Sequence, residues 1–320
     1  MSDPSVSVLM TAYNREPYIG ASIESVLAQD FEDFELLVTD NQSTDGTVAV
    51  ARAYEARDPR VRVVVNERNL GQFGNRNRAA SLARGRFLKY HDSDDLMYPH
   101  GLGILVELLA AEPRAAFALS TGWAWPGGPV PMLLTPRQCY EREFLGFGLF
   151  MGGPASALFR ADAFRRLGGF PDAGAPSDHL FWLRACRTEH VLLAPADLFW
   201  YRIHPSQELQ SEGARREYAA VAGEVWRALA APDCPLDGAA LEAARRSQAW
   251  TVAKHTWRDL AAGRAALAWQ RLSTCGLGAG DWLRYLRRPS RSPLAGVPLG
   301  PDGAPPVPAW ARLGAQGGAR

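Results

Sequence analysis

Three carboxylates fall within four residues at Asp92-Ser93-Asp94-Asp95, closing the extended, aromatic-rich run Arg86-Phe87-Leu88-Lys89-Tyr90-His91. Like charges this crowded destabilise a fold unless something neutralises them. A divalent cation does so most simply, because hard oxygen ligands suit magnesium, manganese or calcium. Where such a cation also holds a diphosphate, the phosphates supply most of the ligands and few side chains are needed. The plainer alternative is a solvated acidic loop that caps the next helix; a short motif alone does not separate the two.

The elements before this cluster must position it. Val6-Ser7-Val8-Leu9-Met10 reads as a buried strand, short and apolar, and runs into Thr11-Ala12-Tyr13-Asn14-Arg15. A helix follows, with Tyr18, Ile19, Ser22, Ile23, Val26 and Leu27 at helical spacing. Phe34 to Val38 is a second strand, ending at Thr39-Asp40-Asn41. Ser43-Thr44-Asp45-Gly46 offers caps for a helix that runs to about Arg57. Val61 to Val65, a helix from about Phe73 to Ala83, and the strand Arg86 to His91 complete a β-α-β-α-β-α-β pattern. Short connections in this order predict an α/β fold with a doubly wound, mainly parallel sheet flanked by helices. Ligands of such sheets bind outside the carboxyl ends of the strands. Tyr13 and Asn14, Asp40 and Asn41, Arg68 and Asn69, and Asp92 to Asp95 therefore gather at one edge. No glycine-rich dinucleotide loop follows the first strand, which weakens a nicotinamide or flavin reading.

With these pieces in place the N-terminal half resembles a family-2 glycosyltransferase of the GT-A fold. The resemblance rests on Val6 to Asn14, on Leu37-Val38-Thr39-Asp40-Asn41-Gln42-Ser43-Thr44-Asp45, on Asn69-Leu70-Gly71 with Arg76-Asn77, and on Asp92-Ser93-Asp94-Asp95, which matches the family's DXD motif. It implies a nucleotide-sugar site formed by Thr11, Ala12, Tyr13, Asn14, Asp40, Asn41, Arg76, Asp92 and Ser93. Thr11 and Tyr13 would shape and stack on the base, and Asp40 would accept from its ring N–H. Asp92 would face the ribose or the metal's water shell. Asp94 would ligate Mn2+ or Mg2+, with Asp92 and His204 completing the metal set. Asp95 would support the site from behind or cap the following helix. Two residues depart from the pattern. Asn41 stands where the family often has a second acid, and His91 stands where an apolar residue is usual. For His91 a partly buried, hydrogen-bonded imidazole is preferred over a role in tuning the metal.

Further along, Pro99 to about Ala111 reads as a helix and Ala115 to Thr121 as a strand. The loop Gly122-Trp123-Ala124-Trp125-Pro126 carries tryptophans that either stack on a sugar or anchor the loop. In Pro176-Ser177-Asp178-His179, the resemblance places Asp178 where inverting members keep the general base. The plainer reading is that Ser177 or Asp178 caps a helix. Phe199 to Gln207 matches the family's Tyr-Arg-x-His segment, implying Arg202 on the diphosphate and His204 near the metal.

The C-terminal part divides at about Gly213. Residues 1–212 would form the catalytic domain, 213–288 a helical region, and 289–320 a Pro/Gly-rich tail, mobile or wrapped over the surface. From Gly213 onwards there are 15 basic and 8 acidic residues, so the formal +1 of the whole chain hides a −6 first part and a +7 second part. The basic part could face an anionic surface. Trp250, Trp257, Trp269 and Trp282, with Arg284, Arg287 and Arg288, would suit an interfacial membrane helix, though ordinary helix packing is preferred for them.

The near-zero net charge argues against a nucleic-acid partner. No apolar run spans a bilayer and no signal segment is evident. Cys139, Cys186, Cys234 and Cys275 lack metal-type pairing and read as reduced thiols, so a cytoplasmic protein is expected, with peripheral contact at the inner face of the membrane as an extension. The resemblance thus implies a metal-dependent, inverting transferase moving a sugar, a UDP-hexose before a GDP- or dTDP-sugar, to a hydroxyl of a glycan, lipid-linked glycan or small molecule. A sugar-nucleotide-binding protein without transfer activity and a nucleotidyltransferase are the alternatives. The joint presence of Asp40, Asp92, Asp94, Asp178 and His204 disfavours the first. The lack of a glycine-rich, lysine-bearing loop disfavours the second.

Overall fold

The strands are β1 (Val6–Ala12), β2 (Phe34–Asp40), β3 (Val61–Val65), β4 (Phe87–Asp92), β5 (Leu96–Met97), β6 (Ala115–Ser120), β7 (Met132–Leu134), β8 (Ala157–Arg160), β9 (His190–Ala194) and β10 (Phe199–Trp200). The helices are α1 (Glu16–Leu27), α2 (Thr47–Glu55), α3 (Gln72–Leu82), α4 (Gly101–Ala111), α5 (Pro136–Leu145), α6 (Ala161–Arg166), α7 (Ser177–Ala185), α8 (Glu212–Ala230), α9 (Gly238–Ala261), α10 (Ala265–Thr274) and α11 (Ala279–Tyr285). The structure, a computed structural model, describes residues 3–120, 130–146, 148–150, 152–196, 198–204 and 212–285. The tryptophan loop at 122–126 falls outside the described residues, as do Pro205 to Gln207, Arg287, Arg288 and the 289–320 segment.

β1 and β2 are near-continuous apolar runs because both of their faces are covered. Leu9, Leu37 and Leu88 enter one core cluster, while their neighbours Val8, Met10, Leu36, Val38 and Phe87 enter a second on the other side. This is the alternation a pleated strand imposes. The eight-stranded sheet runs β3-β2-β1-β4-β8-β6-β9-β7, and β5 and β10 form a small separate pair. β3, β2, β1 and β4 are mutually parallel; β8 is antiparallel to β4 and to β6. β1 and β4 approach closely at their start. A Cβ on Gly85 would lie 2.4 Å from the Ser7 nitrogen, so only glycine fits there.

The register decides where the loops emerge. Ala12 pairs with Asp40, and Thr11 pairs with both Thr39 and Asp92. The carboxyl ends of β1, β2 and β4 therefore finish level along one edge. Beyond the sheet, α8 and α9 continue the main core through Val225, Ala228, Leu229 and Ala244. Ion pairs Arg137–Asp237 and Arg187–Asp233 tie the C-terminal helices to the elements before them. Among the described residues no helix is long and apolar enough to cross a membrane.

Three sequence expectations change. β5 and α5 were not anticipated as elements. Helix α7 is capped by neither Ser177 nor Asp178: its N-cap is Pro176, and both residues already lie in the first turn. The Ser177 hydroxyl instead donates to the Gly174 carbonyl at 2.7 Å. Packing accounts for Trp282, which lies against Ala222, Val252 and Cys275, but not for Trp250, Trp257 and Trp269, which are exposed.

Candidate active site

The loops after β1 and β2 are laced together. Ser43 Oγ accepts from the Asn14 N–H at 2.8 Å, and Asn14 Oδ1 accepts from the Thr44 N–H at 2.8 Å. The Arg15 N–H donates to Thr47 Oγ1 at 2.7 Å. Asp40 is buried at the end of β2, its carboxylate receiving the Ser43 N–H at 2.9 Å and the Ser43 hydroxyl at 2.5 Å. Asn14 takes a left-handed backbone with φ 52°, a conformation asparagine tolerates better than most residues. Tyr13 is left 46% exposed at this edge, a free aromatic face suited to stacking.

Asn41 faces inward. Its amide donates to Asn69 Oδ1 and the Gly71 carbonyl, and its oxygen accepts from Leu70 N–H and Asn66 Nδ2. Asn66 donates in turn to Asn75, which donates to the Thr39 carbonyl. This asparagine network, which sequence reading missed, fixes the loop after β3 against the end of β2.

The acidic turn is held just as firmly. Ser93 Oγ donates to the Thr11 carbonyl at 2.9 Å, and Ser22 Oγ to the Asp92 carbonyl at 3.1 Å. The three carboxylates then diverge in partners. Asp92 Oδ1 meets Arg76 Nη2 at 2.7 Å. Burial opposes the charge on Asp92, but the Arg76 guanidinium beside it more than offsets that and holds the carboxyl below its ordinary value. Asp94 Oδ2 lies 3.0 Å from Arg15 Nε and 3.0 Å from His204 Nε2. Asp95 is buried, its Oδ1 accepting the Arg202 N–H at 2.9 Å; burial, then the Asp92 charge, push it up to about 7. It thus anchors the segment after β10 rather than capping a helix.

Arg202 donates from Nε to the Asp94 carbonyl at 2.7 Å, with its guanidinium over the Tyr18 and Trp200 rings. The His204 ring stacks on Tyr18, with centroids 4.8 Å apart. Arg15 and Tyr18 belong to this cluster, and neither was singled out from the sequence. Their place just after the Tyr13-Asn14 loop was the available signal. His91 is fully buried, and neither ring nitrogen makes a hydrogen bond among the described residues, contrary to expectation. Burial, then the Lys89 charge, hold it neutral, down to about 3.

Asp178 sits in the first turn of α7 beside Gly153, with Oδ1 accepting the His179 N–H at 2.7 Å. Burial raises its carboxyl, offset only in part by that N–H and by the charge of Arg76. The Arg76 charge therefore favours the ionised form of Asp178 as well as that of Asp92, the carboxylate it touches.

As to a metal, Asp94 and His204 are adjacent and offer an oxygen and an imidazole. Asp94 Oδ2 and His204 Nε2, 3.0 Å apart, are close enough to share one cation once Arg15 gives way. These two residues fit a divalent cation. Asp92, turned onto Arg76, does not join them. Among the described residues no three His, Cys, Asp or Glu side chains converge as a ready metal cage. A nucleotide diphosphate would have to supply the remaining ligands.

A mainly parallel sheet with acidic loops at its carboxyl edge is the GT-A arrangement. The profile of Glycosyl transferase family 2 matches residues 7–168, and the chain belongs to that family. It is similar to the UDP-Glc:alpha-D-GlcNAc-diphosphoundecaprenol beta-1,3-glucosyltransferase of Escherichia coli, 39% identical over 109 residues, which are 34% of this chain and 42% of that protein. It is also similar to the GalNAc(5)-diNAcBac-PP-undecaprenol beta-1,3-glucosyltransferase of Campylobacter jejuni, 31% identical over 105 residues, which are 32% of this chain and 34% of that one. The matched segments span well under half the length of these curated relatives. Among solved structures, S. aureus TarS residues 1–349 in complex with UDP-GlcNAc superposes with a TM-score of 0.61 at 20% identity, over 88% of this chain and 79% of that one. A mannosyltransferase from Pyrobaculum calidifontis with GDP-Man and Mn2+ gives 0.57 at 21%, over 89% and 84%. These likenesses show a shared fold.

Proposed function

We propose that the chain transfers a hexose from a UDP-sugar to a hydroxyl of a glycan or lipid-linked glycan, inverting the anomeric centre. The observation that carries this is the level ending of β1, β2 and β4, which sets Asp40 and the Asp92–Asp94 turn on one edge. The UDP-Glc donor of the Escherichia coli relative supports the choice of donor, and the undecaprenol-linked acceptors of both bacterial relatives favour a lipid-linked one.

Thr11, Tyr13 and Asp40 would receive the base, Tyr13 by stacking on it. Asp92, held ionised by Arg76, would face the ribose. Asp94 and His204 would hold the divalent cation, which when bound supplies Lewis-acid neutralisation of the departing diphosphate. Asp178 would take the acceptor hydroxyl's proton as its oxygen forms the new bond to the anomeric carbon. The bond from that carbon to the diphosphate breaks on the opposite face, and UDP leaves with the electron pair. The test is UDP release and product NMR with a panel of UDP-hexoses, Mn2+ and hydroxyl acceptors. A β-linked product from an α-linked donor is expected. Retained configuration, or no turnover with any pair, would remove this reading.

A further inference from the structure

Helix α9 buries Ala244, Ala249, Val252, Thr256 and Asp259. Its other side presents Trp250, Lys254 and Trp257 at successive turns, all exposed. A turn through Gly263 leads directly into α10, which packs back along α9. Trp257 and Trp269 lie six residues before and after that glycine, equally far along the chain from the turn, and each is 72% exposed. Leu272 follows Trp269 one turn on and is also exposed.

The charges on this hairpin are mostly basic. From Ala243 to Gly280 there are six basic residues and a single acid, Asp259. Asp259 is buried and holds both Arg264 and Arg271, at 3.0 and 3.2 Å. No acidic side chain remains on the outer surface of this stretch, whereas Lys254 and Arg258 are exposed on it. We propose that this aromatic and cationic face of α9–α10 docks the protein on an anionic lipid bilayer. Indole rings favour the headgroup level, and each basic residue near an anionic surface adds to the attraction. Two copies of the face would oppose basic against basic, which disfavours self-association through it.

The full chain is sedimented with vesicles of phosphatidylcholine, with and without phosphatidylglycerol. Binding to the anionic vesicles, a blue shift of tryptophan emission and weakening by salt are expected. W257S/W269S should lower the affinity at least about tenfold, since large apolar side chains lose their burial. K254E/R258E, which leaves the tryptophans in place, should lower it by about tenfold or more. Both variants alter exposed side chains away from the proposed active site, so unchanged circular dichroism and unchanged UDP release with a soluble acceptor are expected. Vesicle binding is read independently of transfer, so its failure would leave the enzymatic reading untouched. Equal binding with and without phosphatidylglycerol, binding unaffected by either variant, or a dimer dissolved by W257S/W269S with no vesicle binding would overturn the proposal.

Discussion

Arg15 Nε stands 3.0 Å from Asp94 Oδ2, so a side chain from the loop after β1 holds the carboxylate proposed to receive the cation. The same guanidinium donates from Nη1 to the Tyr13 and Asn14 carbonyls, both at 3.1 Å. Arg15 thus closes the acidic turn against the first loop and competes for the oxygen a metal would take. Replacing it by glutamine removes that competing charge. Isothermal titration of Mn2+ into UDP-loaded R15Q should show roughly fivefold tighter binding than wild type, about 1 kcal/mol, the size of a partly exposed ion pair. D94N should show no binding. Unchanged affinity in R15Q would mean that cation and guanidinium do not share Oδ2.

Asn41 makes all four hydrogen bonds its amide allows, each to the loop after β3 or its neighbours. An aspartate, the acid its family often carries here, would set a carboxylate against the Asn69 and Gly71 oxygens and lose both donated bonds. N41D should therefore cost about 2 kcal/mol, measured as a lower urea midpoint with an unchanged slope. A neutral or stabilising change would show that the network is not what fixes this loop.

The contrast between Asp40 and Asn41 shows how far the sequence reached. Strand order placed Asp40, Asp92 and Asp94 at one edge because strands joined by helical crossovers run parallel, so their carboxyl ends share one edge. That argument works from element types, and elements are what local sequence encodes. Which partner each side chain takes depends on contacts tens of residues apart, such as Arg15 with Asp94 and Arg202 with Asp95. No local pattern announces those. α5 is different: Thr135-Pro136-Arg137-Gln138 does carry a signal. Thr135 and Gln138 form a reciprocal capping box with proline in the first turn, so that helix was readable and was missed. β5 and β10 are two residues each and pair only with one another, too short for any periodicity.

Arg76 and Asp92 form an ion pair in which the arginine side chain is only 5% exposed. Removing the cation leaves a partly buried carboxylate with only the Lys89 charge to offset that burial. R76M should lose about 3 kcal/mol of stability, and the double variant R76M/D92N should recover part of that, because no charge is then left unpaired. Chemical denaturation of the four proteins completes the cycle. A loss in R76M under about 1 kcal/mol would show that the pair is held by solvent rather than by burial.

Asp178 joins stability to activity. Burial raises its pKa above the ordinary carboxylate value, more than the His179 N–H and Arg76 lower it. A base must be ionised to work, so kcat/KM should fall as pH drops through this raised value, and the acidic limb should lie above the ordinary aspartate range. For stability the sign is the reverse. Between the unfolded and folded pKa values the folded chain binds more protons than the unfolded one, so stability falls as pH rises across that window. Above it the wild type bears the full cost of a buried charge. D178N keeps an oxygen for the His179 N–H and carries no charge. It should be more stable than wild type at neutral pH, and that advantage should vanish below the unfolded value of an aspartate. Turnover should drop by roughly 10² to 10⁴-fold with UDP binding retained, the range expected for loss of a general base. Thermal unfolding across pH and UDP titration measure the two halves separately. A D178N protein that is less stable at neutral pH and still transfers sugar would show that this carboxylate serves the fold and not the reaction.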